Sequence, residues 1–349
     1  MSLPSSAASR PSMSQGSLGI VYIVCTLLGW SSVLLFLKHL APYIDAWTAN
    51  GWRYGLSALL WLPILLCGSW RRTLPAGLWR RAVVPAVFNC IAQVCFAWAP
   101  YYIGPGLAAF LLRVNIIFST AGALILFADE RLLARSAVFW AGLVLVLLGS
   151  AGTVLMGATP IAGATATGVA LGLVAGGFYG LYGVSVRYWM RGVPSMTSFA
   201  VISLYTAIAM IAIMLALADR RGMAVVDLSA FNWLMLVLSA LVGIALGHVF
   251  YYAAISRLGV AVSAAVVQLA PFICGVASMI IFKEVLTAAQ WLCGAVMLIG
   301  AVVLLKAEKS RHPAMAAPRV DAPIEPESAG DPTELSAAAS PERDAIARA

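Results

Sequence analysis

The chain has 349 residues, of which 62% are hydrophobic and only 10% are charged, with a formal net charge of +8. A soluble domain carries about a quarter charged residues, so this composition cannot build a water-facing surface and excludes an ordinary soluble fold. The basic residues are scattered through short connections and form no single patch, which argues against a nucleic-acid partner and for a lipid bilayer.

In chain order, residues 1–17 are rich in Ser and Pro and show no apolar period, and a disordered tail is expected there. Residues 18–37 are too long for a signal-peptide core, and no small-residue cleavage site ends them, so they are expected to stay as the first helix. Hydrocarbon about 30 Å thick requires roughly 20 apolar residues in a helix. Nine more segments of that kind follow, at 46–66, 82–103, 106–127, 137–156, 168–186, 198–218, 233–255, 260–282 and 288–305. Eight of the ten contain no Asp, Glu, Lys or Arg, and the other two hold one Arg each. Residues 306–349 change to Pro, Ala, Glu, Asp and Ser without helical period, the pattern of a second disordered tail.

The expected fold is therefore all-α, a polytopic membrane protein of ten transmembrane helices. With the N terminus in the cytoplasm, the inside connections carry Arg10, Arg71, Arg72, Arg80, Arg81, Arg131, Arg135, Arg187, Arg191, Arg257, Lys306, Lys309 and Arg311. Lys38, Arg220, Arg221 and Lys283 fall outside. That bias places both termini in the cytoplasm, because one missed helix would scramble the alternation. The cysteines lie in or beside apolar stretches with no C-x-x-C spacing and no His partners, so neither a disulfide framework nor a metal site is expected. No cofactor is expected, and there is no nucleotide-binding loop of the G-x-x-x-x-G-K-[ST] kind.

The two halves of the chain look alike. Phe118 to Leu132 and Phe272 to Leu286 are matching runs that place Glu130 and Glu284 two residues before a Leu. Each precedes an apolar span with Trp and Gly near its start, Trp140 and Gly142 in one and Trp291 and Gly294 in the other. Five spans per half is an odd number, so the second half must enter from the opposite face and the pair forms two inverted five-helix repeats. The expected domains are 18–156 and 168–305, joined by a linker at 157–167.

These residues resemble the drug/metabolite transporter superfamily, specifically its ten-helix family of paired EamA-type domains. The points of contact are Gly29-Trp30-Ser31, Arg53-Tyr54, Glu130-Arg131-Leu132, Glu284-Val285-Leu286, Pro271, and Gln290-Trp291 followed by Gly294 and Gly300. The resemblance covers roughly residues 19–306; it departs at Ile117, where the repeat would place a counterpart of Pro271. It implies a secondary transporter of a small organic metabolite or drug, working by alternating access around a central cavity. An exporter of amino acids or amphipathic metabolites in the plasma membrane, a bacterial inner membrane, is the expectation, and a nucleotide-sugar or sugar-phosphate carrier of the same superfamily is the alternative.

Candidate substrate-binding residues follow from polar groups at lipid depth. Arg53 and Arg113 each lie about 10 Å below the outer end of a span at 1.5 Å per residue, where an Arg must face the bundle interior, water or a counter-charge. Arg113, beside Asn115, can take a substrate carboxylate through paired hydrogen bonds, or it can snorkel or bond carbonyls between helices. Arg53 reads more readily as structural. Asn89 and Gln93 share one helix face, as do His248 and Tyr252, which makes a wetted cavity or interhelical bonding the two readings. His248 would be the leading side chain for proton coupling, since imidazole titrates near neutrality; the bland reading is a packed histidine. Trp30, Tyr179, Tyr182, Tyr251 and Gln268 could line a cavity for an aromatic or amphipathic molecule; the other reading of the aromatic residues is the ordinary interface belt, for which Trp30 lies too deep. Gly172, Gly176 and Gly180, and likewise Gly243 and Gly247, are spaced every fourth residue and suggest close helix packing, with a hinge as the second reading; Glu130 and Glu284 suggest a cap or a loop ion pair rather than substrate contact. An intramembrane enzyme would need paired Asp residues, H-E-x-x-H or a Ser with a His base, and a retinal protein a Lys within a helix; the spans carry none of these motifs.

Overall fold

Backbone N–H and C=O groups in hydrocarbon find no water, so an apolar segment satisfies them within itself by forming a helix. The computed structural model describes residues 15–128, 131, 135–157, 163–258, 263 and 266–309, and these are all-helical with no strand. Glu130 and both expected tails beyond these limits lie outside the described residues, as do parts of the expected span 260–282.

The helices are α1 (Gln15–Leu40), α2 (Ala46–Trp70), α3 (Leu78–Tyr102), α4 (Pro105–Leu126) and α5 (Ala137–Leu155). They continue with α6 (Gly163–Trp189), α7 (Ser195–Leu217), α8 (Ala230–Ala240 running on through Leu241–Leu246 into Gly247–Leu258), α9 (Ala270–Phe282) and α10 (Ala288–Lys309). Among the described residues seven of them, α1 and α3 to α8, are long and apolar enough to cross a membrane. The 25-residue α2 falls outside that set, diluted by Thr48, Asn50, Arg53 and Ser57, all of which are buried. Ala270–Phe282 and Ala288–Leu304 are apolar but shorter.

Several helix starts are written into the sequence. Asp45 accepts the Thr48 N–H at 3.0 Å, and Ser229 accepts the Asn232 N–H at 3.2 Å, each satisfying an amide that the helix leaves open. Pro105 opens α4, where its missing N–H costs nothing.

The principal packed pairs are α5 with α10, α3 with α6, α2 with α7 and α1 with α8; α4 lies against α6 and α9, and α1 also touches α9. The glycine stripe on α6 makes one of these contacts possible. A Cβ at Gly180 would collide with the Asn115 carbonyl and sit 2.8 Å from the Ser119 amide nitrogen, so the α4 and α6 backbones approach only because no side chain intervenes.

Among the described residues two of these helices depart from α geometry. In α4 the segment Leu112–Val114 tightens to a 3₁₀ turn, and in α8 Leu241–Leu246 widens to a π turn. Such interruptions within long helices often mark a hinge or a functional position.

Candidate functional site

Both interruptions adjoin residues singled out by the sequence: Arg113 lies inside the 3₁₀ turn, and His248 follows the π turn by two residues. Around them the structure assembles two polar groups and an aromatic one.

The first polar group sits between α2, α3, α6 and α7. Arg53 is 1% exposed and donates from Nη1 to Asn50 Oδ1 at 3.2 Å. Asn50 in turn donates from Nδ2 to the Gln93 carbonyl at 2.8 Å, tying α2 to α3. Asn89 donates to the Tyr54 hydroxyl at 3.3 Å and to Thr206 Oγ1 at 3.0 Å, adding α7. Tyr179 on α6 packs its ring edge-on to Phe96 and lies within electrostatic reach of Arg53.

The second group sits where α4 meets the turn leading into α9. Arg113 donates from Nη1 to Gln268 Oε1 at 3.2 Å, and the Tyr251 hydroxyl and Cys274 lie within its electrostatic reach. Asn115 follows at the end of the 3₁₀ turn.

Tyr251 also belongs to the aromatic group. Its ring centroid is 5.1 Å from that of Trp30, and Trp30 lies 5.3 Å from His248. His248 stacks on Phe199 at 4.5 Å and donates from Nδ1 to the Ile244 carbonyl at 2.9 Å. Tyr252 packs beside the cluster that contains Tyr54, and Tyr182 lies within electrostatic reach of both tyrosines. The structure thus gathers Arg53, Asn89, Gln93 and Tyr179 at one place and Arg113, Gln268, Trp30 and His248 around Tyr251 at another.

Four buried polar atoms in this region have no partner among the described residues: Arg53 Nε, Gln93 Oε1, Arg113 Nε and Asn115 Oδ1. Neither guanidinium has a carboxylate partner among the described residues. Charge-assisted bonds to a buried guanidinium gain strength where water is scarce.

Asn50 and Thr206 were not foreseen as members of the network. Asn50 could have been found, since three residues before Arg53 puts it on the same helix face. Thr206 carries no local signal; it matters only because α7 brings it to Asn89.

No curated protein matches the sequence at a significant level. A solved protein crystal structure is similar over 84% of this chain and 98% of its own, at 18% identity and a TM-score of 0.56, a likeness of fold alone. The model of the EamA-like transporter family matches twice, at residues 17–155 and 166–306. Helices that cross a membrane and two copies of this domain over most of its length identify the chain as a member of the EamA-like transporter family.

Proposed function

We propose that this protein is a secondary transporter that carries a small carboxylate-bearing metabolite, an amino acid or amphipathic molecule, outward by alternating access. Its frame is read as ten spans in two inverted five-helix repeats in a plasma membrane, with both termini cytoplasmic. The packing supports that frame. Exchanging each helix of the first half with the one five places later maps α3–α6 onto α8–α1 and α4–α6 onto α9–α1, and returns α2–α7, α4–α9 and α5–α10 to themselves. A pseudo-twofold axis in the membrane plane has that effect.

The observation that carries the substrate reading is Arg113, held at the 3₁₀ turn of α4 by Gln268, with Nε unpartnered among the described residues and the Tyr251 and Trp30 rings alongside. A carboxylate would complete its hydrogen bonds, and the faces of Trp30 and Tyr251 would receive an apolar or ammonium-bearing body. The two buried guanidinium groups also favour the second reading, a sugar-phosphate or nucleotide-sugar carrier, since phosphate meets Arg equally well.

Purified protein in proteoliposomes, offered amino acids, amphipathic drugs and sugar phosphates, tests both. Arg113→Ala, at normal membrane expression, is expected to cut transport by about 1.5–3 kcal/mol of lost charge-assisted bonding, a factor of roughly ten to a hundred. Unchanged transport by that variant would remove Arg113 from the site, and transport confined to phosphorylated sugars would select the second reading.

A further inference from the structure

Glu284 does something that its position after α9 does not disclose. Its carboxylate reaches across to α4 and accepts the amide N–H of Gly106 at 2.8 Å and of Leu107 at 3.0 Å. These are two of the amides that the first turn of α4 leaves open, and a carboxylate there also meets the positive end of the helix dipole. The Ser278 hydroxyl on α9 donates to the same carboxylate, and the Lys38 ammonium lies within electrostatic reach. The cap therefore comes from a residue 178 positions away in sequence and joins the α4 N-terminus to the α9 C-terminus.

The backbone is shaped for this contact. A Cβ at Gly106 would lie 2.9 Å from the Glu284 carboxylate and 3.1 Å from the Gly275 Cα, so glycine is what allows α4, α9 and the carboxylate to close together. Behind the carboxylate the interface is apolar. Phe110 meets Phe272 and Trp291 edge to face, with the three ring centroids within 5.8 Å of one another, and Cys274, 1% exposed, donates its thiol to the Pro105 carbonyl at 3.4 Å. On the far side of the 3₁₀ turn the partner changes: Asn115–Leu126 packs chiefly on α6, and none of its residues is fully buried. Arg113 lies at the boundary between the half of α4 fastened to α9 and the half packed on α6.

We propose that Glu284 is a latch residue for transport: its carboxylate, by fastening α4 to α9, holds shut the passage between Arg113 and the Glu284 face, and its release opens that passage. Glu284 acts through α4 as a positioning residue and does not touch the substrate. The inference rests on the alternating-access reading, yet its test needs no substrate, so a failure to find transported cargo would leave the latch open to judgement.

Cys274 is a built-in reporter. With the other five cysteines replaced by Ser, a membrane-impermeant maleimide is applied to intact cells, where the Glu284 face is external on the proposed orientation. Cys274 is expected to label slowly in the otherwise native chain and about tenfold or more faster in Glu284→Gln, which keeps size but loses the second carboxylate oxygen. Gly106→Ala, which wedges the same contact, is expected to act in the same direction. A parallel chain retaining only Cys90, in α3 and away from this interface, reports general loosening. Faster labelling of Cys274 with Cys90 unchanged supports the latch. An unchanged Cys274 rate, or equal acceleration of both cysteines, overturns it.

Discussion

Arg53 and Arg113 are the same residue type at similar depth, but their surroundings differ. Arg53 is held by Asn50, which is itself fixed to the Gln93 carbonyl, so it joins helices. Asn50→Ala removes both bonds and is expected to destabilise the fold by about 1–2 kcal/mol, the upper range for hydrogen bonds between membrane helices, read as a lowered melting midpoint in detergent. Arg113 faces Gln268 across a helix break, and there the planar fork matters as much as the charge. Arg113→Lys is expected to restore less than a tenth of native transport while folding normally, because a lysine offers a point charge and no paired geometry. His248 is stacked on Phe199 and bonded to its own helix, an arrangement that favours a packed role. His248→Phe is expected to leave the pH profile of transport unchanged, and a flattened profile would return this residue to proton coupling. The sequence marked these groups because ionisable and amide side chains stand out against hydrocarbon. It could not say which of them meet, since Asn89 finds Thr206 only through the packing of α3 on α7.

At the level of helices, the bilayer made much of the fold readable. Its thickness sets segment length, so the segment expected at 137–156 appears as Ala137–Leu155 and the one at 82–103 lies within one residue of the end of Leu78–Tyr102. The 3₁₀ turn at Leu112–Val114 and the π turn at Leu241–Leu246 were not readable, because changing a hydrogen-bond partner by one residue alters neither composition nor apolar period. The cap from Glu284 was half readable: a carboxylate after an apolar span suggests a cap, but the helix it caps lies in the other half of the chain. The α6 glycines give the sharpest prediction at this scale. Gly180→Ala forces the α4 backbone away and is expected to cost about 1–3 kcal/mol and to lower transport by shifting the Arg113 turn. Gly183→Ala, with no neighbouring atom within 4 Å of the added methyl, is expected to stabilise the helix by about 0.4–1 kcal/mol, since alanine loses less backbone freedom on folding. Thermal unfolding of the two variants side by side checks the contrast.

For the whole molecule, the proposed transporter depends on two sets of five helices entering the membrane from opposite faces, so that a site between them can be uncovered from either side. The exchange pattern among helix pairs and the two matches to one family model both fit that arrangement. Sidedness tests it most directly. In a background with the native cysteines replaced, single cysteines are introduced as Gly16→Cys at the start of α1, Lys306→Cys near the end of α10 and Lys283→Cys after α9, all exposed positions. Intact cells are then treated with an impermeant maleimide before and after permeabilisation. The account predicts that position 283 labels at once while 16 and 306 label only after permeabilisation; labelling of 16 and 306 from opposite sides of the membrane would contradict it.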